Sequence, residues 1–358
     1  MTEVLLCPDK FKGSLTAAEV SDSLRAGIAD VRPGVRVESF EVSDGGDGLL
    51  DAVVPHGFAI RTLTAQGPTG QPRMARIATR GSTSIIELAE VVGLRRLSDD
   101  RPAPLTASTY GLGQAMLAAI DAGSTELVVG LGGSASTDGG AGMVEALGAR
   151  LGWRGRRPPA RGGGGLAGVA SVELSELDRR LRHTSITLAA DVDHPLLGER
   201  GSARTFAAQK GATPQEIYLL EAAMAKWAAV VTTATGMDVA DRPGAGAAGG
   251  TGFAAMAILG ATMRSGIDFL LRLGDFTQQI GSADLVIVGE GSLDQQSLRG
   301  KAPIGVANAA TAAGVEVIAI CGVNRLDEMQ SREAGLAGVY SLDASNPTLN
   351  AASNGPGR

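Results

Sequence analysis

Residues 126–148 read ELVVGLGGSASTDGGAGMVEALG, and this stretch decides the fold. An apolar run of strand length enters a glycine-rich turn, and a helical pattern then starts in DGGAGMVEALG. A helical segment from about Tyr110 to Ala122 feeds the strand. This is the β-α alternation of a doubly wound α/β sheet. Open sheets of that kind bind ligands outside the carboxyl ends of their strands.

Similar acidic, glycine-flanked turns recur at SDGGDG (43–48), AADVDHP (189–195) and GEGSLDQQS (289–297), at least two of them after apolar runs. Outward from the deciding stretch, VLLC reads as a short strand, followed by the loop PDKFKGS and a helix opening near Thr16. Thr16 and Glu19 form a capping box, and Val20, Leu24, Ile28 and Val31 supply the inward stripe. Residues 58–97 read as short strands ending in the helical SIIELAEVVGL, and WRGRRPPARGGGGLAG (153–168) as a loop or domain crossing. A strand SITLAADV, a helix-rich stretch over 214–262, the strand DLVIVGEG, a helix from Pro303 to Ala313, the strand VEVIAIC and a strand near Gly338 to Leu342 complete the pattern. The chain is expected to leave its first domain and return. Residues 1–55, 105–150 and 280–345 are assigned to a Rossmann-like domain, 56–104 and 151–279 to a second α/β domain, and 346–358 to a frayed tail.

Composition excludes several classes. The 358 residues are 44% hydrophobic but 3% aromatic, with 51 glycines, which favours a turn-rich α/β protein of two domains over a β-sandwich. The 32 basic and 38 acidic side chains give a net charge of −6 with no basic stripe, so nucleic acid is not an expected partner. Cys7 and Cys321 each end an apolar strand and read as buried, reduced thiols. No secretory signal opens the chain and a cytoplasmic location is expected. The uncharged stretch Gly244 to Met263 is mostly Ala and Gly, too weakly hydrophobic for a membrane span. It reads as a tight loop, PGAGAAGG, entering a buried helix.

The three histidines lack metal-ligand spacing, and neither a GxSxG elbow nor a GxxxxGK phosphate loop is present. A phosphate site must be built another way, and GLGGSASTDGG offers one. Its glycines bring backbone N–H groups close to an anion, Ser134, Ser136 and Thr137 add hydroxyls, and a helix begins behind it. Asp138 reads either as a cap of that helix or as a Mg²⁺ or substrate contact. Lys12 and Lys301 each stand just ahead of a helix, where a cation opposes the dipole unless an anion lies between them. Lys10 and Lys210 repeat the idea more weakly. Asp191 and Asp193 end a strand at alternate positions, on one face, where paired carboxylates can hold Mg²⁺ or share base duty. Glu290 with Asp294, and Asp44 with Asp47, bracket two further turns.

The ordered set PDKFKGSLTA (8–17), VSDGGDG (42–48), TASTYGLG (106–113), GLGGSASTDGGAGM (130–143), AADVDHPLLG (189–198), FAAQKGAT (206–213), PGAGAAGG (243–250) and VGEGSLDQQSLRGKAP (288–303) resembles the bacterial glycerate kinases of glycerate and glucarate catabolism. The resemblance covers roughly residues 3–342. It implies a Rossmann-like doubly wound parallel-sheet domain interrupted by a second α/β domain, with the active site in the interdomain cleft. It also implies ATP- and Mg²⁺-dependent phosphorylation of D-glycerate at the 2-hydroxyl. No membrane partner is expected, and a homodimer is an open alternative. On that reading Asp191 and Lys12 are catalytic, and Asp44, Gly45, Gly46, Ser134 and Asp193 bind substrate. Gly132, Gly133, Ser136, Glu290 and Lys301 bind nucleotide or phosphate, and Asp294 and Asp138 hold the metal. The chain departs from the family where Ser136-Thr137 replace the common Thr-Asn and Ser292-Leu293-Asp294 replace Arg-Ile-Asp, and PTLNAASNGPGR makes a poor terminal helix. Two alternatives stand beside this reading. ITLAADVD resembles the opening of haloacid-dehalogenase phosphatases, which would make Asp191 a phosphorylated nucleophile, although Pro195 stands where Thr or Val is usual. A non-catalytic hydroxy-acid-binding module is the other.

Overall fold

A computed structural model describes residues 2–11, 14–43, 45–46, 48–97, 101–155, 159–274 and 276–343, without the side chain of Arg299. In chain order the strands are β1 (Glu3–Pro8), β2 (Arg36–Ser39), β3 (Ala59–Gln66), β4 (Pro72–Arg80), β5 (Thr83–Glu87), β6 (Glu126–Gly130), β7 (Arg150–Trp153), β8 (Val169–Glu173), β9 (Ser185–Ala189), β10 (Thr262–Arg264), β11 (Leu285–Leu293), β12 (Glu316–Asn324) and β13 (Gly338–Ser341). They divide between two compact units, Met1–Asp44 with Ser265–Arg358, and Gly45–Arg264.

The first unit is a five-stranded, all-parallel sheet in the order β13-β12-β11-β1-β2. Its inner strands β1 and β11 are apolar on both faces, as buried parallel strands must be, while the edge strand β2 carries the exposed Arg36 and Glu38. Leu5, Cys7, Val286 and Val288 pack on one face with Ile304, Ala307 and Phe276, while Val4, Leu6 and Ile287 face Leu24 and Ile28 on the other. The helix Ala17–Val31 starts at the expected Thr16–Glu19 capping box, with the Thr16 amide donating to Glu19 at 2.8 Å and the Glu19 amide to the Thr16 hydroxyl at 3.2 Å. Val20 is buried, but Val31, the last residue of the helix, is 77% exposed and does not join the inward stripe. Strand order reverses between β1 and β11, so their carboxyl ends form the topological switch point of this sheet.

The second unit carries a six-stranded sheet in the order β10-β9-β6-β5-β4-β3, parallel from β10 to β5 and antiparallel beyond, and a separate β7-β8 ribbon. Met116, Leu112, Val129, Trp227 and Phe253 lie in its continuous core. Residues 105–150 were expected in the first domain. The structure instead pairs β6 with β5 and β9, so this segment belongs to the second unit. The chain crosses between units at 44/45 and 264/265, and the glycine run near 162 is internal to one of them. The expected helical SIIELAEVVGL is split: TSIIE is strand β5 and only Leu88–Val92 is helical. The expected frayed tail, 346–358, lies outside the described residues.

The helix Pro214–Thr235 is long and apolar enough to cross a membrane by composition, yet Trp227, Met224 and Val231 are fully buried in the core. PGAGAAGG forms a tight loop entering the helix Ala247–Leu259, with Ala248, Gly249 and Gly250 all left-handed at φ 50°, 70° and 85°. The run presses backbone against backbone: a β-carbon on Gly249 would overlap the Ser136 carbonyl oxygen, and one on Gly250 would sit 2.7 Å from Leu196. Gly249→Ala should therefore cost about 3 kcal/mol, combining left-handed strain with overpacking. Ala248→Gly, which relieves strain next door, should stay within about 1 kcal/mol of the parent. Urea unfolding of the two variants measures this contrast.

Candidate active site

In the second unit the carboxyl ends of β6 and β9 meet the loop that follows residue 44. Gly45, at φ +82°, approaches Ala189 so closely that a β-carbon would lie 2.6 Å from its carbonyl oxygen. β-Carbons on Gly130 and Gly132 would overlap Gly45 and Gly46 in turn. The Leu131 amide donates to Ala189 at 3.1 Å and the Gly132 amide reaches Gly45 at 3.5 Å. Glu87, buried at the end of β5, accepts from the Gly48 and Leu50 amides at 3.2 Å each and so anchors the start of the helix Leu49–Val53. The helical reading of SIIELAEVVGL concealed this strand-end carboxylate.

The Gly132–Gly140 loop is more closed than its composition suggests. Ser134, Ser136 and Thr137 are buried rather than presented to solvent. Ser134 and Ser136 hydroxyls pair at 3.1 Å, and the Ser136 amide donates to the Ser134 hydroxyl at 3.2 Å. Thr137 Oγ1 is buried without a partner among the described residues. Ala135 donates to Val92 at 3.1 Å and Gly133 accepts from Leu94 at 3.0 Å, which ties the loop to the Gly93 turn. The exposed edge is Gly132 and Gly133. There the Gly133 and Ser134 N–H groups are without partners among the described residues, a short anion nest with Gly133 at φ +70°.

Asp138 is fully buried. Its oxygens accept from the Thr109 amide at 2.8 Å, the Thr109 hydroxyl at 2.9 Å, and the Gly140 and Gly142 amides at 3.2 and 3.3 Å. Burial pushes its pKa up against the pull of these donors. With its oxygens so occupied Asp138 organises the helix start, and the structure favours that reading over a metal ligand. Trp227 Nε1 donates to the Gly139 carbonyl at 2.9 Å, linking the core to the loop. Lys210, singled out in the sequence only for standing ahead of a helix, is buried and donates to the Ser136 carbonyl.

Asp191 and Asp193 lie beyond the end of β9 and differ in exposure. β9 stops at Ala189, so strand alternation does not extend through them. Asp191 is half-buried with Oδ2 sealed from solvent, whereas the Asp193 side chain is 61% exposed and both its oxygens face Arg200 Nη2 at 3.1 Å. Lys12, Asp44 and Asp47 lie outside the described residues.

In the first unit the switch point gathers Asp9, Lys10, Glu290, Asp294 and Lys301. The Asp9 amide donates to Gly289 at 2.8 Å, and Lys10 Nζ lies 3.6 Å from Asp9. Glu290, on β11 opposite Cys321, lies 3.6 Å from Lys301 Nζ. Its Oε1 is buried without a partner among the described residues. Burial raises the Glu290 pKa and Asp9 and Asp294 add to the rise, while the Ser297 hydroxyl and Lys301 oppose it. Lys301 is the N-cap of the helix Ala302–Ala312, which has Pro303 in its first turn and no acidic side chain there. The helix end thus carries positive charge with no negative partner of its own in that turn, as the RGKAP pattern suggests. Asp294 accepts from the Gln296 amide at 2.8 Å and the Ser297 amide at 3.4 Å through Oδ1, leaving Oδ2 with a 3.5 Å contact to the Ser292 hydroxyl. Among the described residues no three His, Cys, Asp or Glu side chains gather as a metal cage. Cys7 and Cys321 are buried and unbridged, and burial pushes both thiols up, Cys321 to about 11.

Comparison with known proteins agrees with this chemistry. The model of the Glycerate kinase family matches residues 4–357. A glycerate kinase of Bacillus subtilis strain 168 is 39% identical over 95% of this chain and 90% of its own. A glycerate 2-kinase of Escherichia coli K12 is 39% identical over 99% of this chain and 93% of its own. A crystal structure provisionally described as glycerate kinase 2 from Salmonella typhimurium LT2 superposes with a TM-score of 0.80 at 36% identity, covering 99% of this chain and 94% of that one.

The environments of two aspartates predict losses of different size. Asp138→Ala strands the Thr109, Gly140 and Gly142 donors in the interior and should cost about 2–4 kcal/mol. Asp193→Ala removes an exposed ion pair and should cost less than about 1 kcal/mol. Urea denaturation of both variants at neutral pH reads the difference.

Proposed function

The chain belongs to the glycerate kinase family and is a kinase, and from that premise we propose that it transfers the γ-phosphoryl group of ATP to the 2-hydroxyl of D-glycerate. The observation that carries the nucleotide half of this reading is Lys301 capping a helix whose first turn holds no acid, beside the buried Glu290. A cation and bare helix amides at a switch point suit a polyphosphate. That the Escherichia coli relative is a glycerate 2-kinase favours the 2-hydroxyl over the 3-hydroxyl.

Phosphoryl transfer needs positioning and charge neutralisation more than covalent chemistry. In this proposal Lys301 and the helix amino end hold nucleotide phosphate, and Lys301 is kept in place by Glu290. The Gly133 and Ser134 amides neutralise an anionic group, with Gly45 and Gly46 shaping the adjoining substrate surface. Asp191 accepts the proton of the glycerate 2-hydroxyl. The freed oxygen forms the new bond to the γ-phosphorus as the bridging P–O bond breaks, and that electron pair leaves on ADP. Lys12 and Asp44 enter the proposal on sequence grounds alone. Asp138 and Ser136 support the loop from inside, and Asp193 is left outside the machinery.

Magnesium arriving on the nucleotide would meet Asp294, whose Oδ2 has only one long contact, and would neutralise phosphate charge. One carboxylate suffices where phosphate oxygens and water complete the shell. This fits the lack of a three-ligand cage among the described residues.

Phosphorus NMR of the product formed from D-glycerate and Mg-ATP tests the reaction. A doublet from coupling to the single C2 proton is expected, and a triplet from a C3 methylene would overturn the regiochemistry. Asp191→Asn should lower kcat by about 10²–10⁴ with folding intact, the range of general-base catalysis. Near-normal turnover by a folded Asp191→Asn would remove Asp191 as the base.

A further inference from the structure

The Gly132–Gly140 loop is gripped from within by a cation. Lys210 closes the short 3₁₀ turn Ala208–Lys210, is 3% exposed, and donates from Nζ to the carbonyl of Ser136. The same carbonyl faces the close approach of Gly249, and two residues on Asp138 gathers the Thr109, Gly140 and Gly142 donors. The segment 136–138 is thus fixed by a buried cation, a buried carboxylate and an abutting backbone. Two and three residues upstream of Ser136 lie the amides of buried Ser134 and exposed Gly133.

A buried ammonium is a costly way to satisfy one carbonyl. Its desolvation penalty exceeds that of a neutral donor, and among the described residues no carboxylate pairs with it within ion-pair distance. What the charge adds is strength: a charge-assisted hydrogen bond is roughly twice a neutral one. A site that must hold its donors to about 0.5 Å needs such a support behind it.

We propose that Lys210 is a positioning residue of this kinase, holding the Ser136 carbonyl so that the Gly133 and Ser134 amides keep the geometry that receives the anionic group. The kinetic part of this inference rests on the glycerate kinase reading, and the structural part does not. Burial lowers the Lys210 pKa from 10.5 to about 8, and Asp138 is the charged group that opposes the shift. The grip therefore weakens as pH rises through about 8, when the ammonium becomes an amine. Stability moves the other way. Between pH 8 and 10.5 the unfolded chain binds the lysine proton and the folded chain does not, so this group's contribution to stability rises over that window. Loop order and turnover falling while stability rises is a signature that a purely structural lysine cannot produce.

The test compares the parent with Lys210→Met. At pH 7 hydrogen exchange of the 132–140 amides should quicken about tenfold through local opening. The variant should melt within a few degrees of the parent, and kcat should fall about 100-fold, as for a donor displaced by about 1 Å, with the D-glycerate KM changing less than about threefold. The alkaline limb of kcat near pH 8 should be present in the parent and absent in the variant. Unchanged loop exchange with unchanged kcat overturns the proposal, as does a loss of kcat that only tracks the folded fraction. If the parent shows no turnover with ATP and D-glycerate, the functional reading fails and loop exchange alone decides the positioning. If Lys210→Met does not fold, the parent decides: protection of 132–140, corrected for intrinsic exchange, should decline from pH 7 to pH 9, and a flat profile overturns the inference.

Discussion

The backbone of Gly45–Gly46 lies against the carboxyl ends of β6 and β9 more closely than any β-carbon permits, and the second unit's candidate site depends on that contact. Gly130 and Gly132 must be glycine because Gly45 and Gly46 occupy the space their side chains would fill. Once those strand ends are covered by bare backbone, the loop after β6 reaches the surface at Gly133, and the Gly133 and Ser134 amides are without partners among the described residues. Glu87 secures the other side of the contact by holding the Gly48 and Leu50 amides. The arrangement presents main-chain donors rather than side chains. Such donors need little side-chain reorganisation during a reaction, which suits electrostatic catalysis.

The first unit solves a similar problem with charge. Lys301 at the helix cap is unfavourable toward the helix dipole, and Glu290 at 3.6 Å offsets this only in part because burial penalises its own ionised form. The group is poised to gain from a bound anion. The pairing of β11 with both β1 and β12 fixes Glu290 on a central strand, so the position of Lys301 is referred to the most rigid part of that sheet.

Features governed by neighbours in sequence were legible. The Thr16–Glu19 capping box, the start of a helix at Pro214, the Lys301-Ala-Pro303 helix opening and the alternation of apolar runs with glycine turns all follow from local chemistry, and the structure has each of them. Sheet membership was not legible for 105–150, since buried parallel strands carry the same apolar code in either sheet and partner choice depends on β5 and β9. The helical reading of SIIELAEVVGL failed at its first half because consecutive apolar residues fit both periods. Asp191 and Asp193 were paired by extending strand alternation past Ala189, where the backbone leaves the sheet. Membership of the kinase family also sets aside the phosphatase alternative, which rested on ITLAADVD, and the non-catalytic one.

The hydroxyls of Ser134, Ser136 and Thr137 show most plainly where local reading stops. Their spacing suits an anion cradle, yet the loop is closed by groups remote in sequence. Gly163 approaches Thr137, Gly249 approaches Ser136, and Lys210 and Trp227 bond to the carbonyls of Ser136 and Gly139. Each of these contacts comes from outside the motif and meets its backbone, at the carbonyls of Ser136, Thr137 and Gly139. A composition that reads as a binding loop therefore divides into two parts. The exposed turn at Gly132–Gly133 is one, and a buried polar foundation from Ser134 to Asp138 is the other. The left-handed run at Ala248–Gly250 fits this division, because its strain is tolerated where the backbone must reach Ser136 and Gly139. Asp138 within the loop and Lys210 behind it both bond to its backbone, which gives these charged side chains a part in the loop's geometry.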